Sequence, residues 1–295
     1  MLLLVLLGAT AAAWRSDLQL TLDEADTLRF AIRLQVGGHD VAVELDTGSS
    51  RTWIRSSSSP PTTTTPFSIA YRDGSSATGV VTTDLVQFGA GAPPRLMTFG
   101  LVNETNIDGD GVVGLRPPQL AAIVAGADQP AATFMFAERQ VRLGTTPDDL
   151  DWVGSSPDRW TIVAEAVRFG AVAASAARVR VDTGAAIVGV PDAFFAQLCG
   201  VLGADPNGFV CDCERRRRWW PPLQIVFGPG RRLTYRPAAW TRPVQDRPGM
   251  CQIVFRSAGD DWILGVPLLM QQTVSFRVQR PDHVQIGFPL TSLIG

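Results

Sequence analysis

The sequence predicts a mostly β protein made of two related lobes, and two observations carry this prediction. Runs rich in Val, Ile, Phe and Thr recur along the chain, often with alternating apolar and polar residues, and Gly, Pro, Asp and Ser clusters separate them. An apolar run followed by Asp-Thr-Gly also occurs twice, at 46–48 and 182–184, and each copy is followed by a later apolar-apolar-Gly segment. Such an internal repeat indicates two similar units, which we place at residues 14–150 and 151–295.

The expected strands can be read off in chain order. They are FAIRLQV, VAVELD, FSIAYRD, GVVTTDLVQFG, TFMFAERQVRLG, TIVAEAVRFG, ARVRVD, LQIVFG and VSFRVQ. Helical patterns are few, and we expect helices only at 117–127 and, after Pro191, at 192–202. The Ser/Pro/Thr tract at 55–66 has low complexity and is expected to form a solvated loop.

Composition and charge bound the class of protein. The chain has 295 residues, of which 45% are hydrophobic and 18% charged, and this is typical of a globular protein with a large core. Its net charge of −2 excludes the overall basic field that nucleic-acid-binding proteins use. We therefore expect no nucleic-acid partner.

The N-terminal residues 1–13 form an apolar run that ends in small residues. They predict a secretory signal with cleavage after Ala13, although the usual basic residues at its start are missing; an uncleaved tail is the alternative. The run is too short for a transmembrane helix, and no other segment approaches that length. We therefore expect a protein that is secreted or lies in an acidic secretory compartment.

The chain has four cysteines, and all lie in its C-terminal third: Cys199, Cys211, Cys213 and Cys251. After a signal segment an even number favours disulfides, with three possible pairings, and buried free thiols are the alternative. A metal site is disfavoured because the Cys-x-Cys spacing is too short and no histidine is near. Asn103 begins an Asn-Glu-Thr glycosylation sequon, which is usable only in a secretory compartment.

Other motifs favour ordinary structure over function. The basic run at 214–220 could bind an anion or be cut by a processing protease, but a solvated turn is favoured. The DGDG segment at 108–111 lacks the further acidic ligands of a calcium loop. His39 and His283 lie near no nucleophile motif, which disfavours a Ser-His-Asp hydrolase, and no zinc-protease helix or phosphate loop is present. We expect no metal and no cofactor.

The repeated Asp-Thr-Gly is the segment that suggests chemistry. One copy alone usually marks a turn, because Asp bonds its own backbone and Gly permits positive φ. In two lobes related by a pseudo-twofold axis, however, Asp46 and Asp182 would face each other. Two carboxylates so close share one proton, so that one is an acid and the other a base at the same pH. This pair suits the attack of water on an amide carbonyl.

With these residues the chain resembles the pepsin-like aspartic proteases over nearly its whole length. The stretches that carry the resemblance are the two active-site loops, LDTGSSRTWI at 45–54 and VDTGAA at 181–186; the flap, YRDGSSATG at 71–79; and the segments that complete the ψ-shaped motif of each lobe, DGVVGL at 110–115 and WILG at 262–265. The resemblance implies a bilobal β fold with the active-site cleft between the lobes. It also implies a monomeric aspartic endopeptidase that binds protein or peptide substrates and works at acidic pH.

The resemblance further implies a role for each matching residue of the two loops. Asp46 and Asp182 are implied to be the catalytic pair. The other implied supports hold the loops across the axis, let the backbone approach the carboxylates, or stabilise Asp46 directly; they are, in that order, Thr47 with Thr183, Gly48 with Gly184, and Ser49.

The same resemblance assigns the flap and the disulfides. Tyr71 is implied to be the flap tyrosine, with Trp53 as its hydrogen-bonding and packing partner. Gly74 and Ser75 are implied flap-tip residues, although one extra residue before Gly79 leaves the tip open by one position. The family's long-range disulfide matches Cys213–Cys251, which leaves Cys199–Cys211 as an extra pair.

Some features depart from the family pattern. Ala185 and Ala186 stand where many relatives have hydroxyl residues, so we expect Asp46, supported by Ser49, to be the better-stabilised carboxylate. The stretch from Asp46 to Tyr71 is short, so that rim of the cleft should be reduced. The first strand begins soon after residue 13, which leaves little room for an inhibitory propeptide. A silent pepsin-like fold that binds peptide without cutting is the alternative function, but both aspartates, both glycines and the flap tyrosine are retained.

Overall fold

The structure of the chain, a computed structural model, describes residues 14–23, 29–55, 64–210, 212–213, 217–244, 247–290 and 293–294. The expected signal segment at 1–13, Cys211, and most of the Ser/Pro/Thr tract and of the basic run lie outside these residues. In the described part no helix is long and apolar enough to cross a membrane.

Strands account for most of the described chain. In chain order they are β1 Ser16–Asp23, β2 Arg29–Val36, β3 His39–Asp46, β4 Trp53–Arg55, β5 Pro66–Ala70, β6 Ser76–Gln87, β7 Arg95–Thr105, β8 Gly111–Gly114, β9 Ala131–Met135, β10 Gln140–Leu143, β11 Asp151–Ser155, β12 Thr161–Phe169, β13 Val172–Val181, β14 Val188–Val190, β15 Phe209–Val210, β16 Leu223–Gly228, β17 Arg231–Tyr235, β18 Thr241–Pro243, β19 Cys251–Ile253, β20 Phe255–Ser257, β21 Trp262–Leu264, β22 Thr273–Arg280, β23 His283–Phe288 and β24 Leu293–Ile294.

The helices are short, and most begin at a proline. They are α1 Pro117–Ile123, α2 Asp192–Leu202, α3 Pro237–Trp240 and α4 Val266–Leu269, with a 3-10 turn at Arg217–Trp219. Proline suits the first helical turn because the missing N–H has no intrahelical partner there. Helix α2 has the expected bounds and ends at Gly203, whose φ of 64° forms a left-handed cap. Helix α1 ends four residues earlier than expected, and a turn containing Gly126 at φ 73° follows it.

A sheet shared by both halves of the chain connects the molecule. In its strand order, β11-β23-β22-β9-β10-β1, three strands come from each half, and β22 pairs directly with β9. Aromatic rings pack across this junction: Phe276 contacts Phe134 edge-on with 5.8 Å between ring centroids, and Trp160 with 5.0 Å. The buried hydroxyls of Thr133 and Ser275 are 2.9 Å apart. The halves therefore share one continuous core at this sheet.

Each half also contains the same local strand arrangement. In the first half β3 runs parallel to β8, so that Asp46 lies opposite Gly114, and β4 pairs antiparallel with β8. In the second half β13 runs parallel to β21, with Val181 opposite Leu264, and β14 pairs antiparallel with β21. The expected mostly β, bilobal pepsin-like fold is thereby confirmed.

The cysteines follow the expected pattern only in part. Cys213 and Cys251 form a disulfide with 5.6 Å between their Cα atoms, because β15 pairs with β19 and brings Val210 opposite Cys251. The expected extra pair is wrong: Cys199 has a free thiol on α2, packed against the hydrophobic core. Burial raises the pKa of that thiol.

Candidate active site

The two repeated aspartates lie together at the centre of the molecule. Asp46 ends β3 and Asp182 directly follows β13, and they are 7% and 8% exposed. Their carboxyl groups are hydrogen-bonded to each other. Each also accepts a bond from the glycine two residues ahead: the N–H of Gly48 donates to Asp46 Oδ1 at 2.7 Å, and that of Gly184 to Asp182 Oδ1 at 3.0 Å.

The threonines of the two loops bond across the axis. The N–H of Thr47 donates to Thr183 Oγ1, and the N–H of Thr183 donates to Thr47 Oγ1, both at 3.0 Å. Each hydroxyl then donates to a carbonyl of the opposite strand, at 3.0 Å for Thr47 to Val181 and 2.5 Å for Thr183 to Leu45. Both threonines are buried, so the loops are held by a fully satisfied network.

The glycines of the two loops leave room for the opposing carboxylate. A Cβ atom at Gly48 would overlap the carboxyl group of Asp182, and one at Gly184 would overlap that of Asp46. This requirement for close approach explains why glycine follows threonine in both copies. It does not depend on positive φ, the turn property that the sequence alone suggests.

Electrostatics distinguish the two aspartates. Burial raises the pKa of Asp46 well above its ordinary value, and the charges of Asp182 and Glu44 raise it further, against the lowering effect of the Gly48 N–H. Asp182 instead forms an ion pair with Arg180, whose Nε lies 3.4 Å from Asp182 Oδ2. Asp46 is therefore the member that holds the proton, and Asp182 carries the negative charge.

This asymmetry is opposite to the one expected from the sequence. The hydroxyl of Ser49 donates to the carbonyl of Arg51 and accepts from its N–H, both at 3.1 Å, and it also bonds the Tyr71 hydroxyl. Ser49 therefore supports the loop and the flap, and the direct stabilisation of Asp46 that we expected from it is wrong. The second loop lacks such a hydroxyl, because Ala185 and Ala186 occupy the equivalent positions.

The expected flap is a β-hairpin formed by β5 and β6. Tyr71 begins its turn, and its hydroxyl accepts a hydrogen bond of 2.9 Å from Nε1 of the fully buried Trp53. Burial raises the pKa of Tyr71 to about 12, so the phenol is neutral at any pH at which the dyad shares a proton. At the tip, Gly74 has a φ of 85°, and Ser75 bonds the carboxylate of Asp73 through its N–H and its hydroxyl.

Two ion pairs at the site are not predicted from the sequence. Arg72, in the flap turn, pairs with Asp261, just before β21 in the other half of the chain. Nothing in the sequence relates these residues, which lie 189 positions apart. The second pair is Arg180 with Asp182, and here a signal was available. Residues two apart on a strand share a face.

The remaining expected site residue lies away from the dyad. Asn103 is exposed on β7, where the pairing with β6 shifts by one residue. Its exposure is compatible with glycosylation. Among the residues that the structure describes, no group of three or more potential metal ligands is present.

The comparison with known proteins adds one relative. No protein-family model matches the chain. The chain is similar to penicillopepsin-2 of Penicillium janthinellum, with 24% identity over 287 residues that cover 78% of this chain and 72% of that protein. Together with the bilobal β fold, this similarity suggests the pepsin-like family and a protease.

Proposed function

We propose that this chain is an aspartic endopeptidase that hydrolyses peptide bonds with Asp46 and Asp182 as its catalytic pair. The observation that supports this most directly is the mutual contact of two buried carboxyl groups, presented by equivalent loops that are bonded to each other. A structural pair of turn aspartates needs neither the mutual hydrogen bond nor two glycines that give way to the opposing carboxylate.

The different states of the two carboxyl groups assign their roles. Asp182, which carries the negative charge, takes a proton from a water molecule as the water oxygen attacks the scissile carbonyl carbon. Asp46 donates its proton to the carbonyl oxygen as that oxygen becomes tetrahedral. The intermediate then collapses: Asp182 passes its proton to the amide nitrogen, the C–N bond breaks, and Asp46 recovers a proton from the hydroxyl as the carbonyl re-forms.

This mechanism implies an acidic working range. Activity needs one negative charge and one proton on the pair, so it is lost when the charge is protonated and when the shared proton leaves. The flap supplies the second requirement, a cover over the peptide, with Tyr71 anchored to Trp53. The Cys213–Cys251 disulfide is compatible with a secretory compartment, which we propose as the location.

Purified protein tests the proposal directly. We expect it to cleave an acid-denatured protein between about pH 2 and pH 7, with a bell-shaped dependence on pH, and a statine-type inhibitor such as pepstatin should block cleavage. Asp182→Asn should abolish activity while the circular dichroism spectrum stays unchanged. Absence of cleavage throughout this range, or full activity in Asp182→Asn, would refute the proposal.

One observation favours a second candidate, a fold that binds peptide without cutting it. The Arg180 guanidinium already pairs with Asp182 Oδ2, the kind of oxygen that must receive the proton from water. If this ion pair persisted with substrate bound, peptides would bind and remain intact. Calorimetry with a peptide that also serves as a cleavage substrate separates the two functions, because only the binding fold returns the peptide uncut.

A further inference from the structure

The residues two positions before each aspartate occupy equivalent places in the two halves. Glu44 lies opposite Val112 in the parallel pair β3–β8, and Arg180 lies opposite Ile263 in the parallel pair β13–β21. In each case the partner also stands two residues before the glycine that closes the motif, Gly114 or Gly265. The repeat therefore places a glutamate and an arginine, with opposite charges, at the same position on the two sides of the dyad.

Strand alternation directs both of these side chains to the face of the dyad. On β3 the side chains of Val41, Val43 and Leu45 are buried in the core, so Glu44 lies on the other face with Asp46. On β13 the residues Ala177, Val179 and Val181 are buried in the same way, and Arg180 shares the face of Asp182. Each charge is thus fixed by the strand that carries its aspartate.

Arg180 is held close to the dyad with little solvent around it. Its side chain is 18% exposed, and its Nε, 3.4 Å from Asp182 Oδ2, is buried without a hydrogen-bond partner. A buried guanidinium N–H with no neutral acceptor needs a nearby negative charge to offset its desolvation. The nearest such charge is the one on Asp182, which Arg180 therefore favours.

Glu44 has the opposite effect on its own aspartate. It is half-buried, and its negative charge disfavours a second negative charge on Asp46. A proton on Asp46 relieves this repulsion and leaves the single charge of the pair on the far side, beside Arg180. The two side chains therefore act in the same direction, although each touches a different half of the site.

We propose that Glu44 and Arg180 are positioning residues that polarise the dyad, fixing its shared proton on Asp46 and its negative charge on Asp182. This inference rests on the proposed function, because the proton location matters only if the pair is catalytic. It makes Asp182 the base before substrate arrives, in a pair whose loops are otherwise nearly symmetric. Neither residue needs to touch the substrate for this effect.

Other charged groups near the dyad do not produce the same polarisation. In the flap, Tyr71 is neutral and Arg72 is paired with Asp261, which also feels the charges of Arg180 and Arg159. Beside the first loop, the Nε of Arg116 donates to the Gly48 carbonyl at 3.0 Å. That leaves Glu44 and Arg180 as the pair whose charges differ between the two equivalent strands.

The pH dependence of kcat/KM tests the proposal. In Arg180→Gln the acidic limb, where the pair gains its second proton, should move up by about one pH unit, because a neighbouring cation no longer favours the charge. In Glu44→Gln the alkaline limb, where the shared proton is lost, should move down by about half a unit, since an exposed solvent shell screens this charge more. Arg180→Lys and Glu44→Asp, which keep the charges, should restore most of each shift.

Matched controls remove the same charges farther along the same strands. Arg178→Gln and Asp40→Asn change exposed residues on the faces that carry Arg180 and Glu44, roughly 13 Å and 20 Å along the strand from the aspartates. Both controls should keep the wild-type limbs. Arg180→Met, which retains the aliphatic stem, provides a second variant if the amide does not fold.

The outcomes distinguish this inference from the proposed function. If the wild type is active and blocked by pepstatin, but folded Arg180 and Glu44 variants keep both wild-type limbs, the polarisation is wrong and the endopeptidase stands. If the controls shift as far as the site variants, a general charge effect replaces the polarisation and the inference is also wrong. If the wild type itself does not cleave, the proposed function fails.

Discussion

At the scale of single residues, the site is more symmetric in its backbone than in its charges. The cross-axis bonds of Thr47 and Thr183 repeat with the same distances, and both loop glycines give way to the opposing carboxylate. The charge environment differs, because Glu44 faces Asp46 whereas Arg180 faces Asp182. Catalytic asymmetry in this molecule therefore arises from the strands that precede the loops.

Replacement of Asp46 should stabilise the fold at neutral pH. Because the pKa of Asp46 is raised in the folded state, its contribution to stability is full below the unfolded value and is lost as pH rises through the folded value. Asp46→Asn removes that loss, so we expect its Tm to exceed that of the wild type by roughly 2–4 °C at neutral pH and to match it near pH 3. Asp40→Asn is the control for net charge, and an equal Tm difference at both pH values would contradict the prediction.

The second residue prediction concerns Gly184. A methyl group there would overlap the Asp46 carboxyl, and the buried loops cannot move apart without breaking their hydrogen bonds. Gly184→Ala should cost about 1–3 kcal/mol of unfolding free energy and lower kcat at least about 100-fold. Chemical denaturation and steady-state kinetics measure the two effects.

Gly200 supplies the matched control for this substitution. It lies in α2, and a Cβ atom there meets nothing within 4 Å. Gly200→Ala should therefore stabilise the protein by about 0.5–1 kcal/mol and leave activity unchanged. Equal behaviour of the two variants would show that space beside the carboxyl group is not what Gly184 provides.

At the scale of elements, the flap is the segment that connects chemistry to motion. Its turn is closed by the bond from the Tyr71 N–H to the Ser75 carbonyl, and it reaches the opposite half of the chain through Arg72 and Asp261. Both partners of this ion pair are largely exposed, at 67% and 48% of their side chains, so it contributes little to global stability. Its expected effect is on the closed position of the flap.

Loss of the flap ion pair should weaken substrate binding. A hydrogen bond from Arg72 lowers the pKa of Asp261, so the pair is present above the unfolded pKa and is lost as pH falls through the folded one. Asp261→Asn should raise KM by less than about fivefold with kcat nearly unchanged, and the difference should shrink at high salt. The adjacent exposed acid provides a control, Asp260→Asn, and an equal change in both variants would assign the effect to net charge.

The sequence predicts the strands and the flap better than the short helices. The flap signal is local, because YRDGSS places turn residues between two strand runs, and Gly74 takes the positive φ that such a turn needs. Helices α3 and α4 have four residues each, too few to show a helical period. Their starts at Pro237 and after Gly265 depend on the sheets on which they pack.

At the scale of the whole molecule, the sequence indicates that the halves are related but not how they join. The Asp-Thr-Gly repeat predicts the meeting of the two loops, because equivalent segments of related lobes approach a common axis. The pairing of β22 with β9 carries no sequence signal, since it joins residues that are distant in the chain. The same holds for the Cys199 thiol, whose even-numbered company suggested a disulfide that its position in the core of α2 prevents.

The disulfide should contribute most of its effect to the second half. Cys213 and Cys251 are 38 positions apart, and closing a loop of this length stabilises a fold by about 3–4 kcal/mol in the chain-entropy description. Cys213→Ser should therefore lower the midpoint of chemical denaturation, and reduction of the wild type should do the same. Cys199→Ser, which removes a free thiol, should have a much smaller effect, and a comparable loss would contradict the assignment.

The sheet shared between the halves has a consequence for how the chain could be divided. The connection from β10 to β11 runs through turn residues, whereas β22, β23 and β9 are held by ladders that cross from one half to the other. A cut at this connection would sever the polypeptide without separating its pieces. Two fragments made independently would each carry one inert aspartate, and hydrolysis would begin only when they found each other, at a rate that rises with the concentration of both.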